Sequence, residues 1–262
     1  MTWQVRMAAF RYSSGAPWSD SGTDSDERHM KSALRYANPR LWLSKAGAIA
    51  READIRLFGV SFEQYFAALE QTITDGACQS LLDIGCGERS PIFRFSKSIP
   101  RTTGIDSHLP SIEKSKAEGI HIDYVQMNIA EIGSRFAARA FDCVVALDVI
   151  EHFEKDDGLR LLDAMEKIAA KKVVVFTPNG FLAQQATPDN PHQLHRSGWT
   201  AAEMRARGYQ VRGIGGWRPL RGAYALPRIH PFWLTERLSL LTERFFESRP
   251  EQAFQLLCTK RI

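Results

Sequence analysis

Cysteine is scarce and scattered in this sequence. The 262 residues include four, Cys78, Cys86, Cys143 and Cys258, and no two form a C-x-x-C pair. That argues against a disulfide framework or a thiolate zinc site and predicts buried, reduced thiols in a cytoplasmic protein. Long apolar runs are missing as well: none approaches the ~18 residues needed to cross a bilayer. Residues 1–10 lack the continuous apolar region and small-residue cleavage site of a secretion signal, so none is expected. No repeat or low-complexity tract is present. Charge is nearly balanced. A formal net charge of +4 is too small to imply a nucleic-acid footprint, although a pI near 8.9 leaves one open. With 44% hydrophobic and 24% charged residues, what remains is an ordinary globular protein, one large domain or one with appendages.

What is present follows an alternating rhythm. Residues 13–26 are rich in Ser, Gly, Asp and Pro and predict a flexible leader over 1–28. A helical segment is expected over 29–77, where Leu57, Phe58, Phe62, Tyr65, Phe66 and Leu69 recur at helical spacing and Gly76 offers a stop. It would pack on the core or cover a ligand site. Short apolar strands are then expected at 80–84, 102–105, 122–127, 141–147 and 172–176. Helices are expected between them, over 90–99 (Ser90 as cap, Pro91 in the first turn), 110–118 and 159–170. The near-continuous apolar run 141–147 reads as a strand buried on both faces. This alternation implies right-handed crossovers and an α/β, doubly wound, mostly parallel sheet. Beyond Pro178 come a polar loop over 179–198, a helix at 201–207, and late strands at 209–214 and 253–259. The late strands flank a helical insertion at about 218–250.

In such sheets ligands sit beyond the carboxyl ends of the strands, where strand order reverses. The first strand ends in Asp83-Ile84-Gly85-Cys86-Gly87, whose two glycines allow a tight turn and close approach to a ligand. Asp106 ends the second strand 21 positions after Gly85, a spacing that suits a carboxylate accepting ribose hydroxyls. To this point a dinucleotide enzyme and a methyltransferase both fit. An ordinary strand-to-helix turn, with Asp106 as a helix cap, is the plain alternative. Asp83, ahead of the glycines, suits a cationic ligand better than a pyrophosphate, and Ser90 stands where a dinucleotide fingerprint wants a third glycine.

Four ordered motifs carry a resemblance: Leu-Leu-Asp-Ile-Gly-Cys-Gly (81–87), Thr-Gly-Ile-Asp (103–106), Phe-Asp-Cys-Val-Val-Ala-Leu-Asp-Val-Ile-Glu-His-Phe (141–153) and Val-Val-Val-Phe-Thr-Pro-Asn-Gly (173–180). Residues 79–180, and more loosely to 262, resemble class I S-adenosylmethionine-dependent methyltransferases. The resemblance implies a Rossmann-like sheet of seven strands with an antiparallel last strand, a catalytic domain over 78–262, and S-adenosylmethionine as cofactor. Asp83, Gly85, Cys86 and Gly87 would line the methionine and ribose portion. Asp106 and Ser107 would take the ribose, Asn128 and Ile129 would face the adenine, and Asp148 would sit near the methionine end. Many members carry Asp at the position of Asn128.

The acceptor side rests on fewer residues. His152, in Asp148-x-x-Glu151-His152, is a candidate general base. The same group could instead shape its loop. Some quinone O-methyltransferases hold a divalent cation with a related Glu-x-x-Glu-His group, but no metal is assigned to this chain. His192 and His195, in the loop facing the site, are further candidates for base or substrate contact. Residues 190–199 resemble a loop of methyltransferases associated with bacterial surface-sugar biosynthesis. Alternatively, Ser197 there caps the next helix while Trp199 packs as its staple. The expected reaction is methyl transfer to a small-molecule acceptor, a hydroxyl of a sugar or polysaccharide precursor. A quinone or aromatic O-methyltransferase and a nicotinamide-dependent oxidoreductase are the alternatives. Nucleic acid is disfavoured because the fifth strand ends in Thr-Pro-Asn-Gly, not Asn/Asp-Pro-Pro-Tyr/Phe, and no basic tract carries interleaved aromatics. The segment 232–246 mixes Glu and Arg on its polar face, which fits a covering or homodimerising helix better than a membrane anchor.

Overall fold

The computed structural model describes residues 63–262 except 76–77, 187–189 and 230–231. The expected leader and most of the N-terminal helical segment, with Gly76, lie outside these residues. All the chemistry described below lies in one compact unit, Gln64–Ile262.

Its sheet has seven strands: β1 (Ser80–Ile84), β2 (Arg101–Asp106), β3 (Asp123–Gln126), β4 (Phe141–Leu147), β5 (Ala169–Pro178), β6 (Gln210–Trp217) and β7 (Ala253–Arg261). Their order is β3-β2-β1-β4-β5-β7-β6. Neighbours from β3 through β5 pair in parallel, whereas β7 lies antiparallel between β5 and β6. Order reverses between β1 and β4, so the loops leaving these two strands diverge and open a crevice at their carboxyl ends. The glycine turn (85–87) and Asp148 therefore face one another across the switch point.

Hydrophobic pattern explains the layers. Every residue of β4 except Asp142 is buried, as its unbroken apolar text requires for a central strand. The helices are α1 (Glu63–Thr74), α2 (Leu109–Ala117), α3 (Ile132–Arg135), α4 (Lys155–Ile168), α5 (Ala201–Ala206) and α6 (Phe232–Glu247). Along α4 the buried residues Leu161, Leu162, Met165 and Ile168 recur at i, i+1, i+4 and i+7. That stripe joins the β4 and β5 side chains in the main core cluster. Each such side chain stabilises the domain by about 1.5–3 kcal/mol on burial. Among the described residues no helix is long and apolar enough to cross a membrane. All four cysteines are buried and free.

Two local expectations are corrected. Residues 90–99 form no α-helix but two 3-10 turns, Pro91–Arg94 and Ser96–Ser98. The segment lies between Pro91 and Pro100 and is filled with Phe, Ile and Ser, which favour α-helix weakly. Its tighter turns still bury Ile92, Phe95 and Ile99. Ser90 does cap the first turn, accepting from the Ile92 amide. The cap of α5 is Thr200, in a reciprocal capping box with Glu203, and not Ser197. Ser197 Oγ accepts instead from the indole N–H of the fully buried Trp199 at 3.1 Å.

Candidate active site

The glycine turn is built by backbone geometry. Gly85 has φ +67° and Gly87 φ +58°, left-handed values that exact a steric cost from any Cβ. At Gly85 a Cβ would also lie 2.6 Å from Val149 Cγ2. Asp106 locks the turn from the next strand: one carboxylate oxygen accepts from the Gly87 amide at 2.9 Å, the other from the His108 amide at 2.8 Å. The carboxylate retains lone pairs toward the crevice. Ser107, half-buried, follows directly, and its carbonyl accepts from the Gln126 side chain. Cys86 turns its thiol inward against Gly104, and burial pushes that thiol far above its ordinary value.

Asp83 sits one layer deeper than the glycines. It is fully enclosed, and Oδ2 accepts from His121 Nε2 at 2.9 Å. His121 comes from the β2–β3 connection, 38 residues away, and its sequence gave no signal of this pairing. Asn128 caps the turn after β3: Oδ1 accepts from the Ala130 amide, while Nδ2 donates to Glu131. Its amide is thus engaged locally on both sides, and Ile129 beside it is buried. A residue missed at the sequence level is Tyr65 of α1, which stacks 4.3 Å from the Phe176 ring. Burial, followed by the nearby charges of Asp148 and Asp83, holds its phenol well above the ordinary value. Its buried hydroxyl has no partner.

The second cluster grows from the turn after β4 and the loop after β5. Asp148 adopts φ +57°, a strained value that Asp tolerates better than most residues. The Arg196 and Ser197 amides both donate to the Glu151 carbonyl, at 2.8 and 3.1 Å, which clamps the later loop onto the earlier turn. This brings the His152 and His195 rings to 4.7 Å between centroids. Each ring donates through Nδ1 to a backbone carbonyl, His152 to Leu194 at 3.1 Å and His195 to Leu182 at 2.7 Å. A carbonyl can only accept, so the Nε2 atoms carry the free lone pairs. Burial pushes both imidazoles down, His152 to about 4 with help from His195, so both are neutral at neutral pH. Burial raises Asp148 to about 7 and holds Glu151 well above its ordinary value, with the Asp148 charge adding to the effect. Glu151 Oε2 accepts from Thr177 at 3.0 Å, whereas Glu151 Oε1, Asp148 Oδ1 and His195 Nε2 are buried without a partner. Ligand atoms of Glu151, His152 and His195 lie within 4.8 Å of one another. Among the described residues the ligand atoms that converge are those of this trio, and not those of Asp148, Glu151 and His152. His192 stands apart, exposed on the turn Pro191–Gln193.

The Thr-Pro-Asn-Gly end of β5 divides its labour. Thr177 holds Glu151, and the Asn179 amide donates to the carbonyls of Pro250, Glu251 and Ala253. Gly180 makes room for the Arg218 guanidinium.

With this geometry in place the comparisons are informative. Residues 82–177 match the family model of a methyltransferase domain. No curated protein sequence matches the chain. Among solved structures, a chain of the complex between the Haloferax volcanii Trm112 methyltransferase activator and a methyltransferase superposes with TM-score 0.51 at 14% identity, over 80% of this chain and 92% of that one. The small RNA methyltransferase HEN1 gives TM-score 0.51 at 16% identity, over 76% of this chain and 25% of that one. A SAM-dependent methyltransferase from Archaeoglobus fulgidus gives 0.49 at 17% identity, over 81% and 99%. With 953 solved chains matching, likeness of fold cannot select an acceptor. Sheet order, glycine turn and family match together define a class I S-adenosylmethionine-dependent methyltransferase domain. Its cofactor is S-adenosylmethionine, and the nicotinamide alternative is set aside.

Proposed function

We propose that the chain transfers the methyl group of S-adenosylmethionine to a hydroxyl of a small acceptor, a sugar or polysaccharide precursor. The cofactor lies over Gly85 and Gly87, with Asp106 taking the ribose hydroxyls and the adenine lying against Ile129. Asp148 and the Tyr65 hydroxyl flank the methionine end. The acceptor hydroxyl enters beside Glu151, His152 and His195. The observation that carries this reading is the pair of buried, unpartnered polar atoms, Glu151 Oε1 and His195 Nε2, beside a neutral His152. Such a pocket is complementary to an O–H group.

In the reaction the acceptor oxygen attacks the methyl carbon in line with the departing sulfur. The carbon–sulfur pair stays on sulfur, and the acceptor proton passes to an imidazole Nε2. A weak base suffices, because the oxygen becomes strongly acidic as its bond to the methyl forms. The loop over 190–199, which resembles one from surface-sugar methyltransferases, supports the sugar class.

A second reading is favoured by the three convergent ligand atoms: a divalent cation held by Glu151, His152 and His195, which would polarise the acceptor hydroxyl as a Lewis acid. Labelled cofactor, offered with sugar nucleotides, quinone precursors and RNA, tests the first reading. Label is expected in the sugar fraction, and incorporation only into RNA or quinone would refute it. His152→Ala and His195→Ala are each expected to lower turnover roughly 100-fold or more with cofactor affinity nearly intact; unchanged turnover in both would remove them from the chemistry. Loss of activity on chelation, restored by magnesium, selects the second reading.

A further inference from the structure

A cavity of about 270 Å³ adjoins the histidine loop, bounded by Pro178, Asn179, Leu182 and Phe254, with Arg218, Arg221 and Arg228 in its wall. We propose that it is an anion-binding subsite that takes the phosphate or diphosphate group of the acceptor; this rests on the methyltransferase reading above and specifies its substrate class.

The cavity is joined to the reacting centre by Leu182, which lines it and whose carbonyl orients the His195 ring at 2.7 Å. No carboxylate lines it, whereas three guanidiniums do. Arg221 is buried and its charge is answered by Glu236 at 2.8 Å, so it serves as scaffold. Among the described residues neither Arg218 nor Arg228 has an ion-pair partner, and both are exposed where they line the cavity. Each is seated against a glycine. A Cβ at Gly180, whose φ is +79°, would fall 3.0 Å from a guanidinium nitrogen of Arg218, and one at Gly222 would fall 3.2 Å from Arg228 Nε. Side chains at either position would push the guanidiniums out of place. Two planar, uncompensated cations in one concave site are matched to the oxygens of a phosphoryl group. Anchoring that group away from the reacting hydroxyl aligns the acceptor, which is how binding energy is turned into rate.

The test uses the full chain and its Arg218→Gln/Arg228→Gln double variant, titrated calorimetrically with inorganic phosphate, pyrophosphate and UDP. S-adenosylhomocysteine is titrated in parallel. Pyrophosphate and UDP are expected to bind saturably, with affinity falling roughly 10- to 100-fold in the double variant. Arg218→Lys should restore part of it, and S-adenosylhomocysteine affinity should not change. Equal pyrophosphate affinity in the double variant, or no saturable binding by the parent chain, overturns the subsite. An oligoribonucleotide that binds far more tightly than UDP, with the same arginine dependence, overturns the small acceptor. Failure of S-adenosylhomocysteine to bind the parent chain would instead refute the methyltransferase reading, whatever the phosphate titrations give.

Discussion

Replacing Gly85 by alanine and Gly87 by alanine should have unequal consequences, although both glycines occupy the left-handed region. For each, moving an L-residue into φ near +60° costs about 1–2 kcal/mol. At Gly87 that is the whole cost, because the nearest atom to a new Cβ is the Gly85 carbonyl oxygen at 4.0 Å, an ordinary contact. At Gly85 the Cβ would be 2.6 Å from Val149 Cγ2 and 3.3 Å from Cγ1, well inside the ~3.5–4.0 Å carbon contact distance. Val149 is buried and cannot swing away, so overpacking adds about 1–3 kcal/mol. The totals are about 1–2 kcal/mol for Gly87→Ala and about 2–5 kcal/mol for Gly85→Ala. In a domain of this size these correspond to Tm losses of roughly 2–8 °C and 4–20 °C. Thermal unfolding followed by circular dichroism measures both. In a Val149→Ala background the extra cost of Gly85→Ala should vanish, a coupling of about 1–3 kcal/mol. Equal losses for the two single variants, or no coupling to Val149, would refute the steric argument.

The raised Asp148 carboxyl makes a pH prediction. It binds its proton more tightly folded than unfolded, so its contribution to stability is complete below about pH 4 and declines as pH rises toward its folded value of about 7. The nominal cost above pH 7 is about 4 kcal/mol, an upper bound that relaxation and water penetration around the half-buried carboxyl reduce to about 2 kcal/mol. Asp148→Asn should therefore be about 2 kcal/mol more stable than the parent at pH 8 and equal at pH 4, by urea unfolding; a pH-independent difference contradicts this. Thr200→Ala, which removes one half of the α5 capping box, should cost about 1 kcal/mol by the same assay, with Ser197→Ala failing to reproduce a cap loss in α5 helicity.

The sheet was largely legible because its signals are local and redundant. The run 141–147 is buried on both faces and reads the same way in sequence and structure. Turn type was less legible: Ser90-Pro91 announces a helical start, but i→i+3 and i→i+4 bonding share that signal, and the weak formers after it settled for 3-10 turns. Side-chain partners were not legible where they arise from distant strands. Asp83 was visible as an acidic residue ahead of the glycines, but its bond to His121 exists only because β1 and β2 are neighbours. His192 and His195 looked equivalent in the text. The bond from His195 to Leu182 and the clamp on Glu151 bury one ring and leave the other outside. Arg218 and Arg228 carried no motif, and they meet only because the β6–α6 connection folds back on the end of β5.

The most direct test of the central claim is calorimetric titration of the full chain with S-adenosylhomocysteine and, separately, NAD. Saturable binding of S-adenosylhomocysteine, with a matching rise in Tm and loss of affinity in Gly85→Val, is the expected result, with no heat from NAD. Stabilisation by NAD, with none from S-adenosylhomocysteine, would contradict it.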